Sequence, residues 1–161
     1  MSYWKQLIND NDRVGAIPWH LPKTAATERE ISHTESANNI ELSEEYRAFL
    51  KCANGWVGFH ISTDLFGTDE LNSAYNADPL PMPEVREFIE AINLDAQHVI
   101  PIGVSPFDRD VFLLVSPSSP VAPNHVIWWA GEEVERYGTF EEFFNAMIAS
   151  NAYIARKLMP S

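Results

Sequence analysis

The chain has 161 residues, of which 45% are hydrophobic and 12% aromatic, and its 23 acidic and 11 basic side chains give a net charge of -12. This length and apolar content suit one compact domain with a substantial core, and they argue against disorder over most of the chain. The acidity argues against binding to nucleic acids or to anionic membrane surfaces, because both of these negatively charged partners would repel this chain.

The first 26 residues are weakly patterned. One short apolar helical face is predicted there, formed by Tyr3, Trp4, Leu7 and Ile8. This stretch has no continuous apolar run and no small-residue cleavage site, so we expect no secretory signal. A single cysteine, Cys52, rules out an internal disulfide. Together these features favour a cytoplasmic address.

Two helices are predicted next, each from a cap. Thr27 and Glu30 have the spacing of a capping box, in which each side chain satisfies a backbone N–H at the helix start. Ser43 is a good N-cap for the second helix. One core-facing stripe follows at helical spacing, formed by Tyr46, Phe49, Leu50 and Ala53. Gly55, in Asn54-Gly55, is predicted to close this helix in the left-handed conformation.

Five strands are predicted from runs of β-branched and aromatic residues. They are WVGFHI (56–61), HVIPIG (98–103), DVFLLVS (110–116), HVIWWA (125–130) and EEVERYG (132–138), the last as an edge strand. Residues 64–81, DLFGTDELNSAYNADPLP, are predicted to be a loop because of their Gly, Asn and Pro content. A third helix begins near Pro83, and a last one begins at Thr139 with Glu142 at capping-box spacing.

The order of these elements predicts the fold class. Helices come first, then a strand, a helix, closely spaced strands and a final helix, without regular crossover helices between strands. This order predicts an α+β protein with a single domain, a mostly antiparallel sheet and helices packed against it. We expect the domain to span residues 27–150, after an N-terminal segment of residues 1–26 and before a C-terminal helical tail of residues 151–161.

No motif for catalysis stands out. The chain lacks G-x-G-x-x-G, P-loop, H-E-x-x-H and G-x-S-x-G patterns, and its five histidines share no metal-ligand spacing, so we expect no enzyme, no cofactor and no metal. Cys52 is predicted to be buried and inert because it closely follows Phe49 and Leu50. Two carboxylate pairs, Asp69–Glu70 and Asp108 with Asp110, fall in turn-like stretches that favour Asp for backbone reasons, with a catalytic dyad as the alternative.

Negative charge is concentrated in one part of the chain. Between Cys52 and Ala155 there are fifteen acidic and only three basic residues, a difference equal to the whole net charge of -12. Such a surface would attract a basic protein; the alternative is that acidity only keeps the protein soluble. Likewise, the EEVE run at 132–135 is either a solvated strand edge or a partner-binding patch. Trp128 and Trp129 should point to opposite faces of their strand, so one of them is expected in the core.

Several short motifs also occur in a recognisable order and spacing between residues 27 and 149. In chain order they include Glu35, Tyr46, Phe49, Leu50, Asn54, Gly55, Gly67, Asp69, Glu70, Leu71 and the stretches VIPIGVSPFDRDVFLL, VIWWA and TFEEFFNAMI. In this order they resemble the SUKH superfamily, which includes fungal cell-wall-synthesis regulators and many bacterial toxin-immunity proteins. Two positions depart from that pattern: Ser43 stands where the family often has proline, and Trp56 where it often has a second glycine.

The resemblance implies an α+β domain that acts by binding, without catalysis, and whose usual partner in bacterial members is a cognate toxin domain, often a nuclease. We therefore expect an immunity protein that binds and neutralises a basic toxin domain through an acidic surface. The alternative is a regulatory adaptor that binds an endogenous signalling or cell-wall-related protein. The predicted partner-binding residues are Trp56 as an anchor, with Asp64, Asp69, Glu70, Asp78, Glu132, Glu133 and Glu135 around it.

Overall fold

Six antiparallel strands form one sheet in the computed structural model, which describes residues 20–78, 80 and 82–158. The strands are β1 (Trp56–His60), β2 (Thr63–Leu65), β3 (Val99–Val104), β4 (Val111–Val115), β5 (Val126–Trp129) and β6 (Glu133–Tyr137). Each strand pairs with the next one along the chain, so the order in the sheet is β1-β2-β3-β4-β5-β6. The turns β1–β2, β3–β4 and β5–β6 therefore lie at the same end of the sheet. The predicted α+β fold with an antiparallel sheet is confirmed.

Five α-helices accompany the sheet in the described part of the chain. They are α1 (Glu28–Asn38), α2 (Glu44–Leu50), α3 (Thr68–Asn76), α4 (Pro83–Ala91) and α5 (Phe140–Leu158). The predicted caps are present: the Thr27 hydroxyl accepts from Glu30 N–H and the Glu30 carboxylate accepts from Thr27 N–H, while the Ser43 side chain accepts from Tyr46 N–H. The apolar face predicted at residues 3–8 lies outside the described residues.

The larger core lies between one face of the sheet and helices α1, α2 and α5. Aromatic rings fill it with edge-to-face and tilted contacts, such as Tyr46 to Phe140 at 5.0 Å and Phe112 to Phe143 at 4.8 Å between ring centroids. Phe143 is completely buried. Burying one such ring contributes about 2–3 kcal/mol, so this layer supplies much of the stability of the domain.

A second, smaller core covers the opposite face of the sheet. Val85 and Ile89 of α4 pack there against alternate β4 residues, Val111, Leu113 and Val115. The intervening β4 residues face the larger core, so the whole strand is buried. Helices on both faces explain why β4 reads as a continuous apolar run, VFLLV, rather than an alternating one.

The prediction of a loop at residues 64–81 is wrong, because this stretch contains most of β2 and all of α3. Neither element has a strong local signal: β2 has three residues, and among the α3 side chains that the structure describes only Leu71 is fully buried. Both form because distant parts of the chain hold them. β2 is paired on both sides, by β1 and β3, and the Asn54 side chain, 14 residues away, bonds Thr68 at the start of α3.

Asn54-Gly55 also has a different role from the predicted one. Helix α2 ends at Leu50, and Gly55 takes its positive φ of 93° four residues after the C-cap Lys51, at the turn into β1. A Cβ atom on Gly55 would lie 2.7 Å from the backbone nitrogen of Gly67, and one on Gly67 would lie 2.3 Å from the Asn54 carbonyl oxygen. The two glycines therefore let the β1 turn and the start of α3 approach closely.

Candidate partner-binding surface

The structure separates the predicted acidic contacts into two groups. Asp69, Glu70 and Asp78 lie on or just after α3, beyond the end of β2 that is opposite the β1–β2 turn. Glu132, Glu133 and Glu135 lie on or just before β6, the last strand of the sheet. Strands β2 and β6 are four positions apart, a separation of about 19 Å at the usual spacing between strands. The predicted residues therefore do not form one continuous patch.

Carboxylates of the first group are mostly engaged in local structure. Glu70 Oε2 accepts from Gly67 N–H at 2.9 Å, and its other oxygen pairs with Lys23. Partial burial opposes ionisation of Glu70, but the bonds from Lys23 and Gly67 outweigh it and lower its pKa. Asp78 pairs with Arg86 and accepts from Leu80 N–H at 3.2 Å. Such carboxylates are less free to meet a partner.

Asp64 and Asp69 differ in their surroundings. Asp64 lies within the sheet, on β2, where its Oδ1 accepts from Gly58 N–H at 2.6 Å. Gly58 has a positive φ of 57° in a stretch of β1 whose register with β2 is irregular, so Asp64 satisfies a backbone donor that regular pairing leaves open. Asp69, in the first turn of α3, is exposed and forms no ion pair within the described residues.

The second group lies on an open strand edge. Glu132, Glu133 and Glu135 are all exposed, and so is Val134 between them. Glu133 forms a bidentate salt bridge with Arg136, in which Arg136 Nε and Nη2 donate to the two carboxylate oxygens at 2.9 and 2.7 Å. Glu132 and Glu135 form no ion pair within the described part of the chain. We call residues 132–135 the acidic edge; within it, Glu132 and Glu135 present negative charge that local structure does not use.

Trp56, the predicted anchor, has its side chain in the core. It is 5% exposed, its indole N–H donates to the His20 carbonyl oxygen at 2.9 Å, and its ring lies 6.0 Å from that of Phe59. A partner could therefore touch very little of it, and the exposed apolar contacts of this protein must be sought elsewhere. The sequence could not show this, because Trp is common both in cores and at interfaces.

Trp128 and Trp129 point to opposite faces of β5, as predicted. Trp129 is 1% exposed in the smaller core, with the Arg109 guanidinium 5.7 Å from its ring centroid. Trp128 is half-buried on the other face, edge-on to His60 at 5.3 Å, and its indole N–H donates to Asp110 Oδ1 at 2.6 Å. Both indoles thus belong to the packed domain.

Asp108 and Asp110 lie close together on the β3–β4 turn, where Asp108 Oδ1 accepts from Asp110 N–H at 3.2 Å. Burial raises the pKa of Asp110, and the nearby Asp108 carboxylate raises it further against the effect of the Trp128 indole. Hydrogen bonds from Ser105 and Asp110 outweigh slight burial and lower the pKa of Asp108. The hydrogen bonds of both carboxylates therefore have a structural role in this turn.

The prediction that Cys52 is buried is wrong, because its side chain is exposed. Helix α2 ends at Leu50, so the helical spacing that buries Phe49 does not extend to residue 52. Cys52 lines a groove of 360 Å³ between α2 and α5, together with Ala48, Phe49, Phe140 and Phe144 and two flanking carboxylates. Within the described residues, no group of His, Cys, Asp and Glu side chains could hold a metal ion.

A cleft with a volume of 620 Å³ lies at the opposite end of the sheet from the β1–β2 turn. Polar side chains from α1, α3 and the short 3₁₀ turn Ala96–His98 line it. Glu35 there already pairs with Arg47 and accepts from Leu42 N–H at 3.0 Å. The carboxylate of Glu35 is therefore engaged by the protein itself.

One family model matches most of this chain. The model of the SMI1/KNR4 family (SUKH-1) matches residues 25–146. The chain belongs to this family. The match includes both Asn54-Gly55 and Gly67-Thr68, whose close contact joins the β1 turn to α3 in this SUKH-1 protein. A search of curated proteins found no significant sequence match.

The resemblance to the SUKH superfamily is thus confirmed. Residues 1–24 lie before the matched range. Residues 20–26 nevertheless join the domain, since Lys23 N–H donates to the Gly55 carbonyl and Ala26 N–H to the Leu50 carbonyl. Among the described helices, none combines the length and apolar character that crossing a bilayer requires.

Proposed function

We propose that this SUKH-1 protein binds and neutralises a toxin domain whose surface is basic, such as a nuclease domain that must hold nucleic-acid phosphates. In this proposal it acts by binding alone, in the cytoplasm, and covers the surface that the toxin needs for its substrate. Family membership supports an immunity or related role, and the charge of the chain supports a basic partner.

One observation carries the proposal: the acidic edge holds carboxylates with no local role, in a span that has almost no free positive charge. The three arginines between Cys52 and Ala155 are all ion-paired, to Asp78, Glu84 and Glu133. Glu132 and Glu135 remain exposed without such a partner among the described residues. Unneutralised charge on one edge would speed association with a basic surface and help to select it.

The test is rescue from a toxin encoded beside the gene for this chain. Cells that express the C-terminal domain of the neighbouring toxin should survive when this protein is co-expressed, and the purified pair should bind with an affinity that falls as salt rises. Failure to rescue cells from, or to bind, any toxin domain encoded at the source locus would refute the proposal. Binding to an endogenous cell-wall or signalling protein instead would indicate the adaptor function.

A pair of charge reversals locates the surface. Glu132→Lys with Glu135→Lys should weaken binding about tenfold or more and flatten its salt dependence, because two attractive charges become repulsive. The matched control is Glu87→Lys with Glu90→Lys on α4, which changes the net charge equally at exposed residues on another element. Equal loss in both double variants would mean that total charge matters and that the acidic edge is not the contact.

A further inference from the structure

Two neighbouring turns form a fixed apolar tip at one end of the sheet. We call it the hairpin end; it comprises residues 61–62 of the β1–β2 turn and residues 105–110 of the β3–β4 turn. Ser62 joins the two turns, because its hydroxyl lies 3.0 Å from the Ser105 hydroxyl and donates to Asp108 Oδ2 at 3.3 Å. The two turns therefore present their outer side chains together.

Phe107 is the most exposed large hydrophobic side chain among the described residues, at 78%. The backbone around it is held by several bonds: Phe107 N–H and Asp108 N–H both donate to Ser105 Oγ, at 3.2 and 3.3 Å, and Ser105 N–H donates to the Asp110 carbonyl at 2.9 Å. The ring thus projects from an ordered turn. Because the backbone of this turn is already ordered, only the side-chain rotamers of Phe107 lose freedom when a partner covers the ring.

Ile61 is the second apolar side chain of the hairpin end, at 41% exposure. It has a φ of 52°, in the left-handed region, where a β-branched residue is a genuine outlier. His60 and Thr63 pair across the turn, so Ile61 and Ser62 form a two-residue loop, in which Gly or Asn is normally favoured at a position of positive φ. Folding would be better served by asparagine here, so the isoleucine side chain calls for another explanation.

Negative charge lies beside Phe107. Asp108 is exposed beside Phe107, while the intervening Arg109 turns away to pair with Glu84 at 2.6 Å and to cover the Trp129 ring. The β5–β6 turn, which leads into Glu132, lies at the same end of the sheet, about 10 Å from the β3–β4 turn at the usual strand spacing. The β5–β6 turn therefore lies beside the Phe107 part of the hairpin end, whereas the β1–β2 turn, four strand positions away, is about 19 Å from it.

From this arrangement we infer that Ile61 and Phe107 are the apolar anchor of the partner-binding surface, and that they insert into an apolar pocket bordered by Lys or Arg side chains on a basic protein. This inference rests on the proposed function and deepens it. Phe107 supplies the aromatic contact, and Asp108 and the acidic edge form a charged border beside it. Buried aromatic anchors surrounded by polar rims are typical of the energetic centres of interfaces.

The experiment measures binding to the toxin domain encoded beside this gene, purified in a catalytically inactive form. Phe107→Ser should weaken binding about 30-fold or more, as expected for an anchor. Ile61→Asn should weaken it about fivefold or more while leaving the urea unfolding midpoint unchanged or higher, because asparagine tolerates a positive φ. A purely structural role for Ile61 would not separate binding from stability in this way.

Matched controls lie away from the hairpin end. Leu21→Ser removes another side chain with high exposure, 63%, and Val121→Asn changes a residue with 38% exposure in the β4–β5 connection, at the opposite end of the sheet. Both should bind within about twofold of wild type. If Phe107→Ser and Ile61→Asn bind as wild type does, or if the controls lose as much affinity, the anchor is elsewhere and the proposed function stands. If wild type itself neither binds nor rescues, both proposals fall.

Discussion

Replacing Asn54 with alanine should lower the free energy of unfolding by about 2–3 kcal/mol, because this one side chain holds the start of α3. Asn54 Oδ1 accepts from Thr68 N–H at 2.7 Å, and Nδ2 donates to Thr68 Oγ1 at 2.9 Å. Thr68 is 4% exposed, so its N–H would be left buried without this acceptor, at a cost of about 1–2 kcal/mol. Loss of the second bond adds about 1 kcal/mol.

Urea unfolding followed by tryptophan fluorescence measures this loss, and for a chain of this length the melting temperature should fall by about 4–12 °C. Asn54→Asp is the control. It keeps an acceptor for Thr68 N–H and puts a negative charge at the N-terminus of α3, which the helix dipole favours, so it should cost less than about 1 kcal/mol. The reasoning is refuted if alanine is within about 0.5 kcal/mol of wild type, or if aspartate costs as much as alanine.

Two further predictions concern single side chains. The lowered pKa of Glu70 means that its ionised form stabilises the fold above its ordinary value of 4.5 and that this contribution is lost as the pH falls through the lower, folded-state pKa. The difference in urea midpoint between wild type and Glu70→Gln should therefore be larger at pH 7 than at pH 3.5; an equal difference at both pH values would contradict a role for the charge. Because the Cys52 thiol is exposed, a disulfide reagent that modifies thiols should react with it in the folded protein at a rate within about tenfold of the rate in the urea-unfolded protein. Protection well beyond tenfold would show that the groove between α2 and α5 is covered in solution.

Helices with both a cap and an apolar stripe could be predicted from the sequence alone. In α2, Ser43 supplies the cap, while Tyr46 and Phe49 belong to a stripe that can face only one way. The same holds for α4, where Pro83 marks the start and the spacing of Val85 and Ile89 indicates the buried face. These signals are local, so they survive without knowledge of the tertiary structure.

Elements held by distant partners could not be predicted in this way. Helix α3 depends on Asn54, and β2 depends on pairing with two neighbouring strands, so the local composition of residues 64–81 suggests a loop. Cys52 shows a different error. Helical spacing predicts that Cys52 is buried only if the helix continues past Leu50, and α2 ends at that residue. Tertiary contacts outweigh local propensity in α3 and β2.

The sequence could predict that the candidate surface is acidic, but not where on the fold it lies. An excess of carboxylates is visible in the sequence, yet their division between α3 and β6 depends on the order of strands in the sheet. Asp108 and Asp110 make the stretch between β3 and β4 turn-like in the sequence, and a phenylalanine within such a turn is the available signal for Phe107. Only the structure shows that the Ser105 bonds hold the backbone beside this exposed ring and that Ile61 lies on the adjoining turn.

The covering of the sheet on both faces has a consequence for how such a protein can acquire new partners. Side chains on the central strand β4 are interior in both directions, so a substitution there alters the folding of the domain before it alters recognition. Exposed side chains on the turns and on the outer strand are under no such constraint. A gene library that varies only Ile61, Phe107, Glu132 and Glu135, and leaves Ser105 and Asp110 in place, should therefore yield folded proteins of changed specificity, which makes this architecture a scaffold that can be retargeted without redesign of its interior.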